Sequence, residues 1–413
     1  MRILSGAIAA ARVRKMAARG VQYTQVEPSV RRIIADVRKH GDRAVRKYAE
    51  RWDELSKQEP LRVAQDEINS AWKSASAELR NSLRAAAANI RRFCEWQKPV
   101  EWMRTRQGTS VGQIVRPLDS VGCYVPGGRY PLVSTLLMTV IPAQVAGVQN
   151  VRVVSPKPRA EVLAAAGMLG VREFYRIGGA QAIAALAYGT QSVSRVDKIV
   201  GPGNLYVTAA KKLVAFDCAI DFLAGPTEVV IVSDKGNPEF IAADLVAQAE
   251  HDTETFAAFI TTSDKLAQQV ARAAKKLSRG NSVAEQSLRR EGVILVSSSR
   301  RQSFEWANDL ASEHLTVAAK DVSLVRNAGS LFVGDYSPQA AGDYASGPNH
   351  VLPTGGAARL RGGLSVLDFV KVISVQRLSR AGLRFVAPIV ESLANAEGLR
   401  AHADSIRIRV AHA

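Results

Sequence analysis

The chain reads as an α/β protein: two doubly wound, Rossmann-like parallel-sheet domains, with a helical N-terminal arm before them and a small C-terminal tail domain after them. Three observations predict this class. Short apolar runs alternate with helix-length amphipathic segments in two series, one from about residue 120 and one from residue 227. That β-α-β order makes parallel strands with helices on both faces. Glycine- and proline-rich turns, Pro126-Gly127-Gly128 and Gly201-Pro202-Gly203, follow two of the runs, beyond the C-terminal strand ends where ligands of such sheets bind. The 413 residues are 47% hydrophobic and 23% charged, enough apolar material for two or three packed domains.

The elements follow in order. Residues 28–50 predict a helix opened by Pro28-Ser29, with Val30, Ile33, Ile34, Val37 and Val45 as its apolar stripe. Residues 77–97 predict another, with Leu79, Leu83, Ile90 and Phe93 on one side. Residues 121–125 form a strand, and the helix that follows, to Gly147, is broken or bent near Pro142. Strands at 151–154, 174–177 and 198–200 alternate with helices through Ala164, over 180–187 and over 205–214. The second series has strands at 229–232, 256–261 and 293–296, with helices at 240–249, 266–277 and 304–310. Residues 342–354 are rich in glycine and proline and read as loop rather than helix or strand. The tail, about 376–413, is helical, with a last apolar alternation at Ile406, Ile408 and Val410.

The formal charge is +17, and residues 1–50 hold 12 Lys or Arg against 4 Asp or Glu, a net of +8. This invites a nucleic-acid reading. Apolar residues interleave the charges, however, as on solvated helix faces, and no helix-turn-helix, zinc-finger or RNA-binding signature accompanies them. No run of 18 apolar residues predicts a membrane helix, and the N-terminus lacks a secretory apolar core with a cleavage site. Cys94, Cys123 and Cys218 are too few and too scattered for a disulfide framework. A cytoplasmic protein is expected.

Four of the six histidines lie in short segments that also carry a carboxylate or an amide: Gln248 to His251, Glu313-His314, Asp343 to His350, and Glu397 to His402. These are metal ligands and proton carriers, the equipment of an enzyme. Spacing alone leaves that reading level with hydrogen-bonded structural pairs, and none shows the tight Cys/His spacing of a structural zinc site. The Glu313-His314 pair by itself favours a surface strand with alternating faces. The glycine turns at 126–128 and 178–181 would let backbone approach a pyrophosphate, though tight turns need glycine in any case.

Whole motifs carry more. Val121-Gly122-Cys123-Tyr124-Val125-Pro126-Gly127-Gly128, Gly178-Gly179-Ala180-Gln181 with the run to Thr190, Val196-Asp197-Lys198-Ile199-Val200-Gly201-Pro202-Gly203-Asn204, Ala224-Gly225-Pro226-Thr227-Glu228-Val229, Gln248-Ala249-Glu250-His251, Ser312-Glu313-His314-Leu315, residues 342–354, and Ala396-Glu397 through His402 occur in this order. Together they resemble the histidinol dehydrogenase family, from about residue 25 to the end. The resemblance implies oxidation of L-histidinol to L-histidine through L-histidinaldehyde, the last steps of histidine biosynthesis, with two NAD and one zinc ion per subunit. It implies Gln248, His251, Asp343 and His402 as zinc ligands, His314 as the base for both oxidations, and Glu313 as the group that activates water. Substrate contacts would come from Thr227, Gln248, His251, His314, Asp343, His350, Glu397 and His402, and NAD contacts from Tyr124, Gln181 and Asn204. The implied domains are an arm over 1–24, a zinc- and substrate-binding domain over 25–123 and 228–375, an incomplete Rossmann-like NAD domain over 124–227, and a tail over 376–413. The tail would cross a homodimer and complete the neighbour's active site. Three features depart from the family pattern: Thr227 and Gly363 where Ser is common, and a short loop at 155–159. They leave open a paralogue that acts on another primary alcohol, such as a sulfonated diol. His40 and His412 match no role and read as solvated; the cysteines match none either.

Overall fold

The aliphatic runs pair into two parallel sheets. The computed structural model describes residues 1–20, 23–127 and 131–412; Gly128, the end of the first predicted turn, lies outside them. The first sheet has the order Glu173–Tyr175, Asn150–Val154, Ser120–Tyr124, Lys198–Val200, Ala219–Ile220. The second has the order Arg2–Ser5, Val293–Val296, Phe256–Thr261, Glu228–Val232, His314–Val317, Ser330–Val333. Every pairing in both is parallel. Helices cover both faces, so the central strands Glu228–Val232 and Phe256–Thr261 are buried at every position. Burial on both faces is why they read as unbroken apolar runs instead of alternating ones. Among the described residues no helix is long and apolar enough to cross a membrane.

The N-terminus differs from the expected helical arm. Gly6–Ala17 is helical, but Arg2–Ser5 is an edge strand paired with Val293–Val296. The helix buries Ala9, Val13 and Met16 with Phe304, Trp306 and Leu310, so this segment belongs to the second sheet's core. The helix expected over 28–50 is two helices, Glu27–His40 and Asp42–Trp52, because Gly41 takes φ +54°, a conformation that ends the first. A three-stranded antiparallel sheet, Val370–Leu378, Thr109–Pro117 and Trp102–Arg106, was not expected. Its first strand runs across the predicted start of the tail at 376. Helices Arg380–Ala396 and Arg400–Ala411 complete the tail.

Helix Val133–Ala146 passes through Pro142 instead of breaking. Proline cannot donate to the carbonyl four residues back. That carbonyl, Met138 O, instead accepts from Asn349 Nδ2 at 2.6 Å. The segment beyond Asn349 returns to the first sheet's core, where Val351, Leu364, Val366 and Phe369 are buried. A helix defect on one domain thus anchors the loop that carries His350.

Candidate active site

A cavity of ≈ 230 Å³ lies between strand ends of the two sheets. Pro126, Pro202 and Gly203, beyond the C-terminal strand ends of the first sheet, line one side. Thr227, Glu313 and His314, at the N-terminal strand ends of the second sheet, line the other. The cavity therefore lies beyond the C-terminal strand ends of one sheet and at the N-terminal strand ends of the other. Gln248, in the last turn of helix Pro238–Ala249, and His251 just after it complete the second wall. Asp343 and His350 close the cavity. Asp343 is not in a loop as expected: it lies in the short helix Gln339–Tyr344, which takes in Gly342.

The proton-carrying pair is held by one residue's backbone. Glu313 Oε2 accepts from the Glu228 N–H at 2.9 Å, and His314 Nδ1 lies 3.2 Å from the Glu228 carbonyl. A carbonyl only accepts, so Nδ1 carries the hydrogen and Nε2 the lone pair. Nε2 is buried, lies 3.6 Å from Asp343 Oδ1, and has no hydrogen-bond partner among the described residues. Both side chains are less than a tenth exposed, so this is no surface strand. Burial pushes the Glu313 carboxyl up to about 8 against the pull of His314. Burial works against the charged form of His314, but Glu313 and Asp343 outweigh it and raise the imidazole. Asp343 is itself held low: burial opposes this, and the adjacent His314, with the charges of His350 and His251, prevails. The ring of Phe332 stacks 5.7 Å from that of His314 and limits its rotation.

The remaining rings are oriented in the same way. His251 Nδ1 lies 3.2 Å from the Gln248 carbonyl and His350 Nδ1 lies 2.8 Å from the Asp343 carbonyl. Each leaves Nε2 as the lone-pair nitrogen. Gln248 Nε2 donates to Asp343 Oδ2 at 3.3 Å, which links two of the expected metal ligands. Among the described residues no three His, Cys, Asp or Glu side chains converge as a metal cage. Of the expected ligands only His251 and Asp343 are of those types within the cavity lining; His402 lies exposed on the tail, as does Glu397.

Tyr124, Gln181 and Asn204 stand at the C-terminal edge of the first sheet, outside that lining. The Tyr124 hydroxyl accepts from the Gly179 N–H at 3.1 Å, and Asn204 caps helix Leu205–Val214 through the N–H groups of Tyr206 and Val207. Burial pushes the neighbouring Cys123 thiol up to about 12, so it stays protonated.

Glu228 follows Thr227 in the motif at 224–229, but its sequence position gives no sign of its role. Its buried carboxylate is gripped by Arg19 through Nε at 2.7 Å and Nη2 at 2.6 Å, and accepts from the Gly355 N–H at 2.9 Å. No spacing rule links residue 19 to residue 228; only the fold brings them together.

The profile of the family described as Histidinol dehydrogenase matches residues 16–410. A histidinol dehydrogenase of Methanothermobacter thermautotrophicus is 47% identical over 395 residues, covering 92% of each chain. One from Vibrio parahaemolyticus is 45% identical over 399 residues, covering 93% of this chain and 92% of its own. The crystal structure of histidinol dehydrogenase from Elizabethkingia anophelis superposes with a TM-score of 0.95 at 34% identity, covering 100% of this chain and 98% of that one. With the match running through both sheets, the cavity and the tail, this chain belongs to the histidinol dehydrogenase family.

Proposed function

We propose that the protein oxidises L-histidinol to L-histidine through L-histidinaldehyde, using one zinc ion per subunit and two NAD per substrate. The observation that carries this reading is the buried His314 Nε2, a fixed-tautomer base without a partner among the described residues, in a cavity lining that also holds Gln248, His251 and Asp343. Two imidazole nitrogens and two oxygens, with His402 supplied from the tail, are a mixed donor set suited to zinc or another first-row divalent ion. When bound, zinc supplies the Lewis-acid positions that hold the substrate's imidazole and amine, and NAD supplies the hydride acceptor.

The chain's own groups do the rest. His314 Nε2 takes the alcohol proton as hydride leaves the carbinol carbon, releases it to solvent, and then takes a proton from the aldehyde hydrate in the next oxidation. Its Nδ1–H, held by the Glu228 carbonyl, keeps the ring aimed through both steps. Glu313 takes a proton from the water that adds to the aldehyde; burial makes its anion a stronger base than a solvated glutamate. Thr227 and His350, both in the cavity lining, position the substrate. Glu397 and His402 reach the site from the second chain of a homodimer.

Steady-state turnover tests this. L-Histidinol should yield two NADH per molecule consumed, chelation should abolish turnover, and zinc should restore it. Inertness toward histidinol with activity on another primary alcohol would assign the protein to a paralogous reaction. Full activity in a verified metal-free preparation would remove zinc from the account.

A further inference from the structure

Nucleotide-binding sheets usually hold phosphate on the free N–H groups of a helix N-terminus after a glycine turn. At two glycine turns of the first sheet the chain's own oxygens take up several of these groups. The Gly178 N–H, at the start of helix Gly179–Tyr188, donates to Asp53 Oδ2 at 2.9 Å, and the Gly179 N–H donates to the Tyr124 hydroxyl. At the next crossover the Gly201 N–H donates to Asp221 Oδ2 at 2.8 Å, and Asn204 takes the N–H groups of Tyr206 and Val207.

Asp53 lies just after helix Asp42–Trp52 and is only 7% exposed. The same Oδ2 also accepts from Gln181 Nε2 at 3.1 Å. This bond decides how the Gln181 carboxamide is turned, because a carboxylate must face the amide nitrogen and not the amide oxygen. Gln181 Oε1 is left buried without a hydrogen-bond partner among the described residues. It is packed against Gly179, where a Cβ would come within 2.7 Å of it and where φ is +60°. An unmatched buried acceptor costs stability until something donates to it.

We propose that Asp53 is a positioning residue for the dinucleotide: it presents the Gln181 carboxamide oxygen to an N–H or O–H donor of bound NAD. The proposal rests on the NAD reading above. The ribose hydroxyls, the adenine amino group and the nicotinamide amide all carry such donors; the pyrophosphate carries none. A carboxylate at the helix N-terminus also offsets part of the positive end of the helix dipole and so disfavours a phosphate there.

NAD binding, measured by titration calorimetry on the intact protein, tests this beside steady-state kinetics. Asp53→Ala and Gln181→Ala should each weaken NAD about tenfold, the loss of a well-placed hydrogen bond. The double variant should be no weaker than the worse single, because both remove the same contact. Asp53→Asn should recover most of the loss, since its amide oxygen can accept both bonds. KM for NAD should rise in the alanine variants while KM for L-histidinol moves little. If Asp53→Ala does not fold, the inverted pair carries the test: Gln181→Glu alone sets two carboxylates together and loses NAD, and adding Asp53→Asn restores most of it. Additive losses, unchanged affinity in Asp53→Ala, or an Asp53→Asn as weak as Asp53→Ala would overturn the proposal and leave the function standing. A wild-type protein that binds no NAD would overturn the function, and this proposal with it.

Discussion

Glu228 organises the site through its main chain: its N–H holds Glu313 and its carbonyl holds His314. Adjacent residues in a strand point to opposite faces, which is why Glu313-His314 alone favoured a surface strand. Glu313 escapes that alternation because the strand begins at His314, one residue later. The two groups should separate in kinetics. His314→Asn removes the base proposed for both oxidations, so each should fall by roughly 10² to 10⁴. Glu313→Gln can still accept from the Glu228 N–H but cannot take a proton. It should slow aldehyde to acid far more than alcohol to aldehyde, with NADH followed from each substrate in turn. Equal slowing of both steps by Glu313→Gln would refute this division of labour. Among the departures from the family pattern, Gly363 has a visible consequence: a Cβ there would lie 2.5 Å from Leu352 Cδ2, so a serine must displace a side chain that lines the cavity.

Between elements, the strand Glu228–Val232 is tied to the N-terminal helix by Arg19. Arg19→Ala would leave a carboxylate that is 4% exposed without its cation. A broken buried pair typically costs about 3 kcal/mol or more, so the urea midpoint should drop well below wild type, and Arg19→Lys, which loses the two-pronged grip, should fall between. A second tie holds the helices on either side of Gly41. Asp36 bonds His40, Tyr48 and Lys47, and these bonds, His40 first, hold its carboxyl down at about 2. A carboxyl held below its unfolded value stabilises the fold above that unfolded value and loses the contribution as pH falls through the folded one. Asp36→Asn should therefore lower the urea midpoint at neutral pH, with the gap to wild type closing between about pH 4 and 2; a gap independent of pH would contradict this. The buried strands were readable because burial on both faces leaves long aliphatic runs. The antiparallel sheet was not: Trp102–Arg106 is exposed at every position, so nothing in its pattern marks a strand. Gln339–Tyr344 was missed because one turn and a half containing Gly342 shows neither helical period nor cap. Gln248, His251, Glu313, His314, Asp343 and His350 could be read from family motifs, whereas Asp53, Arg19 and Glu228 act through contacts across the whole chain.

The molecule as a whole leaves apolar surface uncovered around its tail. Phe385, Ile389 and Leu393, four residues apart on helix Arg380–Ala396, are 52%, 55% and 60% exposed. Met103, Val111, Val372 and Ile373 on the antiparallel sheet are also exposed. Patches of this kind mark interaction surfaces, and two short helices are too little to form a core of their own. Glu397 and His402 sit on the same tail, outside the cavity they are proposed to serve. The exchange of tails proposed for a twofold dimer would account for both facts, since contacts in such a dimer are reciprocal and give two equivalent sites. The central claim, one histidinol-oxidising site built from two chains, is tested by mixing two inactive proteins, His402→Ala and His251→Ala, after joint dissociation. Random reassociation makes half the dimers mixed, and each mixed dimer has one intact site, so about a quarter of wild-type activity should return. Mixed dimers that form and remain inactive would show that His402 serves its own chain, and would contradict the shared site.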